Sequence, residues 1–319
     1  MTTRREMLQG AAASVLLPMA MGSSSARAKD AAARTLGTIR AVTITATDLK
    51  AVEAAWTKFM GYRVIDRGQL SQATVDGWGA PALRGKGFII LGPQSGEPTY
   101  LRFVEQPLPQ SHEPKQRTLG WNMTEITVQN SDKLYERLKD SPFIVRGPPR
   151  EVATYSYLRA LGGVVGPAGE ILAFTWITEP RPDLAVAKSF VGRVFIATLG
   201  VPDLPTSLKW FDATFGNYAS PIRQLSPTLQ LSVVTLRDGT KIEVDHLGPE
   251  AKPRLRPPGG LPPGLALVTF ECSQFDRFQD RFVHPAAASV IEPHRGRRTG
   301  TMPGAAGELI ELVDAWSAQ

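Results

Sequence analysis

The chain has 319 residues, 42% hydrophobic and 21% charged, the balance of a soluble globular protein with room for two domains. Its formal charge of +6 is scattered apart from the run HRGRR at 294–298, and no aromatic-interleaved basic stripe appears, which argues against a nucleic-acid partner. The single cysteine, Cys272, excludes an intrachain disulfide, a CxxC pair and a thiolate metal cluster, and reads as a small core residue.

In chain order, the first segment is MTTRREMLQGAAASVLLPMAMGSSSARA. A basic start precedes an apolar run that is too short and too rich in Gly and Ala for a membrane span, and Ala26-Arg27-Ala28 forms an A-x-A cleavage site. The stretch TRREML, Thr3 to Leu8, resembles the twin-arginine export signal. That resemblance implies recognition by the twin-arginine translocation machinery, cleavage of residues 1–28 and a periplasmic protein with no stable membrane span. Cleavage removes Arg4, Arg5, Arg27 and Glu6, three positive charges and one negative, so +6 becomes +4.

The remainder repeats itself. A shift of 155 residues lays GTIRAVTITATDL (37–49) on GRVFIATLGVPDL (192–204) and Gly61 on Gly216. A shift of 144 lays VQNSDKLYERL (128–138) on CSQFDRFQDRF (272–282), and a shift of 138 lays GPAGEILAF (166–174) on GAAGELIEL (304–312). The chain is therefore four modules in two related halves.

Each half opens with an alternating strand, TIRAVTITA or RVFIATLGV. Asp48 or Asp203 then caps a helix with apolar residues at 3–4 spacing and a closing glycine. About three strands follow, among them GKGFIILG, TYLRFVE, LQLSVVTL and TKIEVDHL. Pro-rich spacers at 105–116 and 249–263 lie inside the halves, and 178–190 joins them.

A βαβββ module used in pairs, with V-x-D-L boundaries and closing strands of the G-E-L-I-E-L form, resembles the vicinal oxygen chelate superfamily. That group includes glyoxalase I, extradiol dioxygenases and bleomycin-binding proteins. The resemblance implies an α+β fold of four βαβββ modules paired into two cup-shaped sheet domains, residues 36–178 and 190–316. It also implies inward-facing ligand positions on first and last strands, holding a divalent metal that acts as a Lewis acid.

Counted seven residues back from Asp48, Asn130, Asp203 and Gln274, the first-strand positions hold Ala41, Met123, Ile196 and Leu267, none a metal ligand. The last-strand positions hold Arg102, Ala173, Glu243 and Glu311. Glu243 and Glu311 are then expected to face each other in a C-terminal cup, as an acid/base pair or as ligands of one divalent ion. The alternatives are ion pairs with Arg295, Arg297 or Arg298, or a solvated rim.

His294 is a candidate acid or base at the cup mouth. Asp245 shares the face of Glu243, since strand side chains alternate. In the N-terminal half, Arg102 with Trp121, Tyr155 and Tyr157 makes a candidate substrate-binding group or a packed ion-paired core. Glu170 and Glu308 read as turn or surface residues kept for the fold.

The expectation is a periplasmic enzyme acting on a small oxygenated organic ligand by proton abstraction next to a carbonyl, a lyase or isomerase. A non-catalytic small-molecule-binding protein and a ring-cleaving dioxygenase with an altered metal site are the alternatives.

Overall fold

The computed structural model describes residues 34–107, 118–152, 155–179, 184–291, 294 and 296–315. The export segment lies outside these residues. Among the described residues, no helix is long and apolar enough to cross a membrane.

Four modules follow one another. The first is β1 (Leu36–Ala46), α1 (Leu49–Ala55), β2 (Arg63–Gln69), α2 (Gln72–Gly77), β3 (Gly87–Gly92) and β4 (Tyr100–Glu105). The second is β5 (Thr118–Val128), α3 (Ser131–Leu138), β6 (Arg150–Val152), β7 (Tyr155–Val165) and β8 (Ile171–Ile177). The third is β9 (Val191–Val201), α4 (Leu204–Phe215), β10 (Arg223–Ser226), β11 (Leu229–Thr235) and β12 (Lys241–His246). After a short β13 (Lys252–Pro253), the fourth is β14 (Leu265–Cys272), a 3-10 turn, β15 (Ala287–Ala288), β16 (Arg298–Pro303) and β17 (Leu309–Asp314).

The helix signals act as local chemistry dictates. Asp48, Asn130 and Asp203 accept the backbone N–H groups of Ala51, Lys133 and Thr206 at 3.0, 2.8 and 2.9 Å. Gly61 and Gly216 end their helices at φ of 71 and 65°, which a side chain would oppose. In the fourth module the equivalent cap is Gln274, which makes no capping bond, and the segment tightens into a 3-10 turn over Phe275–Arg281. The insertion of α2 between β2 and β3 has no counterpart in the sequence expectation.

The modules pair across the two halves. One sheet runs β15-β16-β17-β14-β1-β4-β3-β2, joining modules one and four. The other runs β10-β11-β12-β9-β5-β8-β7-β6, joining modules two and three, with β13 beside β5. We call their concave faces cup 1 and cup 2. The expected grouping of modules one with two and three with four is thus corrected at the level of the sheets.

The exchange is made by the backbone ladders, β1 pairing antiparallel with β14 and β5 with β9. Pairing one with four sets Arg102 of β4 against Glu311 of β17. Charge alone does not choose between the pairings, because joining modules within halves would set Arg102 beside Glu125 and Glu243 against Glu311, again one arginine-carboxylate pair and one pair of facing carboxylates, as Glu125 and Glu243 are in cup 2.

The two sheets share one apolar core built from their other faces and the helices. Trp56 packs edge-on against Tyr62 and Phe143 at 5.0 and 5.6 Å between ring centroids, and Phe215 meets Phe278 at 5.0 Å. The free Cys272 is buried in this core, as expected.

Candidate functional site

Parallel pairing between first and last strands puts one residue of each beside the other on the concave face. The pairs are Thr43 with Arg102, Glu125 with Ala173, Thr198 with Glu243 and Thr269 with Glu311. The first-strand neighbours therefore sit five residues before the cap, two further along than Ala41, Met123, Ile196 and Leu267. A two-residue step keeps the same face, so the count moves along the strand without leaving the cup.

In cup 1, Arg102 and Glu311 are both buried and their Nη2 and Oε2 atoms lie 2.8 Å apart. Arg102 Nε donates to Thr43 Oγ1 at 2.9 Å, and Thr269 Oγ1 donates to Glu311 Oε2 at 2.5 Å. Trp78, carried in by α2, donates Nε1 to Glu311 Oε1 at 2.6 Å and lays its ring 4.6 Å from the Arg102 guanidinium. Burial by itself would raise the Glu311 carboxyl. Arg102, Thr269 and Trp78 outweigh it and hold the group below its ordinary range, so Glu311 is ionised at neutral pH.

His294 is also buried at this site, on the turn whose backbone runs from Ile291 O to Arg297 N. Desolvation pushes its imidazole down to about 3, helped by Arg102, Arg297 and Arg40 and opposed by Glu311. It is therefore neutral, and its Nε2 has no hydrogen-bond partner among the described residues. A cavity of about 20 Å³ opens onto Trp78, Arg102, Glu311 and the buried Thr301, rimmed by Thr74 and Ser289. That volume accepts one or two water-sized groups.

Cup 2 has the opposite polarity. Glu125, Glu243 and Asp245 are buried, with Lys241 the nearby cation. Burial and then the Glu243 charge raise the Glu125 carboxyl, against Thr175 and Lys241. Burial, Glu243 and Glu125 raise Asp245 in the same way. Thr198 Oγ1 has no partner among the described residues. The apolar remainder of this side is Leu158, Ile177, Phe195, Ile196 and Val233, with Leu184 laid over it from the connection between the halves.

A divalent ion does not fit at Glu311: the guanidinium occupies the place a cation would take, and Oε2 already accepts from Arg102 and Thr269. An ion shared by Glu243 and Glu311 is ruled out by their lying on different sheets. The carboxylates of cup 2 are hard oxygen donors of suitable chemistry. Among the described residues, however, no three His, Cys, Asp or Glu side chains converge as a metal would require.

Of the residues singled out from the sequence, Glu311, His294 and Arg102 come together. Glu243 and Asp245 lie in cup 2, away from them. Trp121 is not beside Arg102: it faces the shared core, meets Phe270 at 5.9 Å and donates Nε1 to the Leu309 carbonyl at 2.8 Å. Tyr157 is half-buried against the apolar lining of cup 2, and Tyr155 lies on the same strand, β7, with its side chain outside the described set. The expected partners Arg297 and Arg298 do not bind Glu311; Arg298 pairs with Asp314 and Asp276, and Arg295 lies outside the described residues.

Glu170 and Glu308 are not surface residues. Both are buried, folded back over Gly166 and Gly304, where a Cβ would come within 2.0 and 1.9 Å of their carboxylate oxygens. Desolvation pushes each up to about 7. Trp78, Thr43, Thr269 and Glu125 were missed. The repeat match of Thr43 with Thr198 was a readable signal for the threonines, whereas Trp78 reaches the cup on an insertion that no repeat marks.

No family model and no curated protein matches the sequence. Solved structures do share its architecture. Glyoxalase I from Zea mays superposes with a TM-score of 0.61 at 12% identity, covering 87% of this chain and 92% of that one. A putative dioxygenase from Bacillus subtilis subsp. subtilis str. 168 gives 0.60 at 12% identity, covering 89% of this chain and 87% of that one. The class defined is thus a four-module protein of the glyoxalase-like α+β fold, with two cup-shaped sheets. At such identities the likeness is one of fold.

Proposed function

We propose that this chain is an exported enzyme of the glyoxalase-like fold that moves a proton next to a carbonyl of a small oxygenated organic molecule, as a lyase or isomerase, in cup 1. The observation that carries the reading is the cavity opening directly onto Arg102, Glu311 and Trp78. Glu311 Oε2 is saturated by Arg102 and Thr269, but Oε1 accepts only from Trp78 and keeps a lone pair for the substrate proton. Arg102 supplies the fixed positive charge on which an enolate oxygen would develop. Neutral His294, on which both Arg102 and Glu311 act, adds no charge to the site.

The alternative, a binding protein without turnover, is favoured by the same set of donors. They depress the Glu311 carboxyl, and a carboxylate so stabilised is a weak base. The two readings part in heavy water. With a panel of 2-hydroxy, 2-oxo and vicinal dicarbonyl compounds, the enzyme should exchange the C–H next to the carbonyl. Glu311→Gln should lose that exchange while circular dichroism shows the fold intact. Trp78→Phe, which frees Oε1 of its only donor, should alter the rate without abolishing it. Bound ligand with no exchange in the wild type would leave the binding protein, and equal exchange in Glu311→Gln would end the proposed role of that residue.

A further inference from the structure

The charges around cup 1 do not balance. Arg40, Arg102 and Arg297 all act on His294, and Glu311, Glu271 and Asp314 are the carboxylates that act on His294 or Arg297. Glu271 is shared between Arg40 and Arg237, bonded by Arg40 Nε at 3.0 Å and by Arg237 Nη2 at 2.9 Å. Arg40 and Arg237 thus share one carboxylate, which leaves one positive charge over at the partly exposed edge of the site. Arg102 itself uses Nε on Thr43 and Nη2 on Thr269 and Glu311, while Nη1 makes no hydrogen bond among the described residues. The side chain is 2% exposed and lines the cavity, and its plane is fixed between the Trp78 ring and Thr43.

We infer that cup 1 seats the carboxylate head of a small organic acid on Arg102 Nη1, with the rest of the ligand directed out past Thr74 and Ser289. A buried donor on a fixed guanidinium matches a carboxylate oxygen in charge and direction. The volume of about 20 Å³ holds such a head and excludes a ring. Cup 2 presents Glu125, Glu243 and Asp245 where cup 1 presents Arg102, so the two cups differ in the groups they offer a ligand. This inference rests on the assignment of ligand binding to cup 1 and adds the class of ligand.

The test follows the Trp78 indole N–H by nuclear magnetic resonance, the signal being assigned through Trp78→Phe. Acetate, glycolate and pyruvate are titrated beside acetamide, glycolamide and pyruvamide, with chloride as a generic anion. The carboxylates should shift the signal with a Kd of about 1 mM, and the amides and chloride should leave it in place. Arg102→Lys keeps the charge beside Glu311 but loses the forked donor, and should weaken binding at least about tenfold. Equal shifts from amides or chloride, no shift from any carboxylate up to about 50 mM, or an unaltered Arg102→Lys would each overturn the inference. Carboxylate binding without deuterium exchange would fail only the proton-transfer reading. Exchange of a neutral substrate without carboxylate binding would fail only this inference.

Discussion

Arg102 and Glu311 are 209 residues apart in the chain and 2.8 Å apart in the fold, both buried, each from the last strand of a module belonging to a different half. Their pairing joins the first module to the fourth at the floor of cup 1. Removing one partner leaves the other charged, buried and unpaired. Arg102→Met or Glu311→Leu alone should each cost about 3–5 kcal/mol, and the double variant far less than the sum. Urea unfolding of the four proteins measures the coupling, and additive losses would show that the pair does not act as a unit.

Glu308 ties stability to pH. Its folded carboxyl is pushed up to about 7 against an ordinary 4.5, so the folded state holds the proton more tightly. The stability this gives is complete below 4.5 and is lost as the pH rises through 7. Glu308→Gln should therefore be more stable than wild type by about 1–3 kcal/mol at pH 8, with the difference closing near pH 4.5. Glu170 is raised alike but accepts from Trp56 Nε1 at 3.0 Å, whereas the 155-residue shift puts Phe211 in place of Trp56. Thermal melts across pH decide this, and a Glu308→Gln difference that stays constant with pH would refute it.

Because the sheets cross the halves, neither half contains a complete sheet. Expressed alone, residues 36–178 carry β1 and β5 without their partners β14 and β9. Each half alone should aggregate or self-associate, and co-expression with the other should restore a soluble complex on size-exclusion chromatography. A monomeric, native-like 36–178 fragment would contradict this.

Export is proposed from Arg4 and Arg5. Replacing both by lysine preserves charge and hydropathy, so it should leave folding untouched while blocking twin-arginine recognition. Fractionation should then find full-length chain in the cytoplasm, against processed chain beginning after Ala28 in the periplasm for wild type. Normal processing of the double-lysine variant would remove the proposed route.

Much was readable along the chain because its causes are local. Asp48, Asn130 and Asp203 cap helices through backbone groups three residues away, and Gly61 and Gly216 end them. Alternation marks the strands, and the repeat marks the modules. Glu311 and Arg102 stood out as charged residues at positions where the closing strands face inward. Glu125 did not, because a first-strand count two residues too long passes over it to Met123, and its meaning depends on Glu243 approaching from another module.

What the sequence determined by itself was the unit: a βαβββ module, used four times, with its capping residues and its charged last-strand positions. Only the tertiary structure decided which modules share a sheet. First-strand edges offer the same backbone hydrogen bonds to either neighbour, so local pattern cannot choose between them. The choice falls to buried side chains brought together from distant parts of the chain, such as Arg102 with Glu311 and Trp56 with Glu170, whose partners no local pattern names.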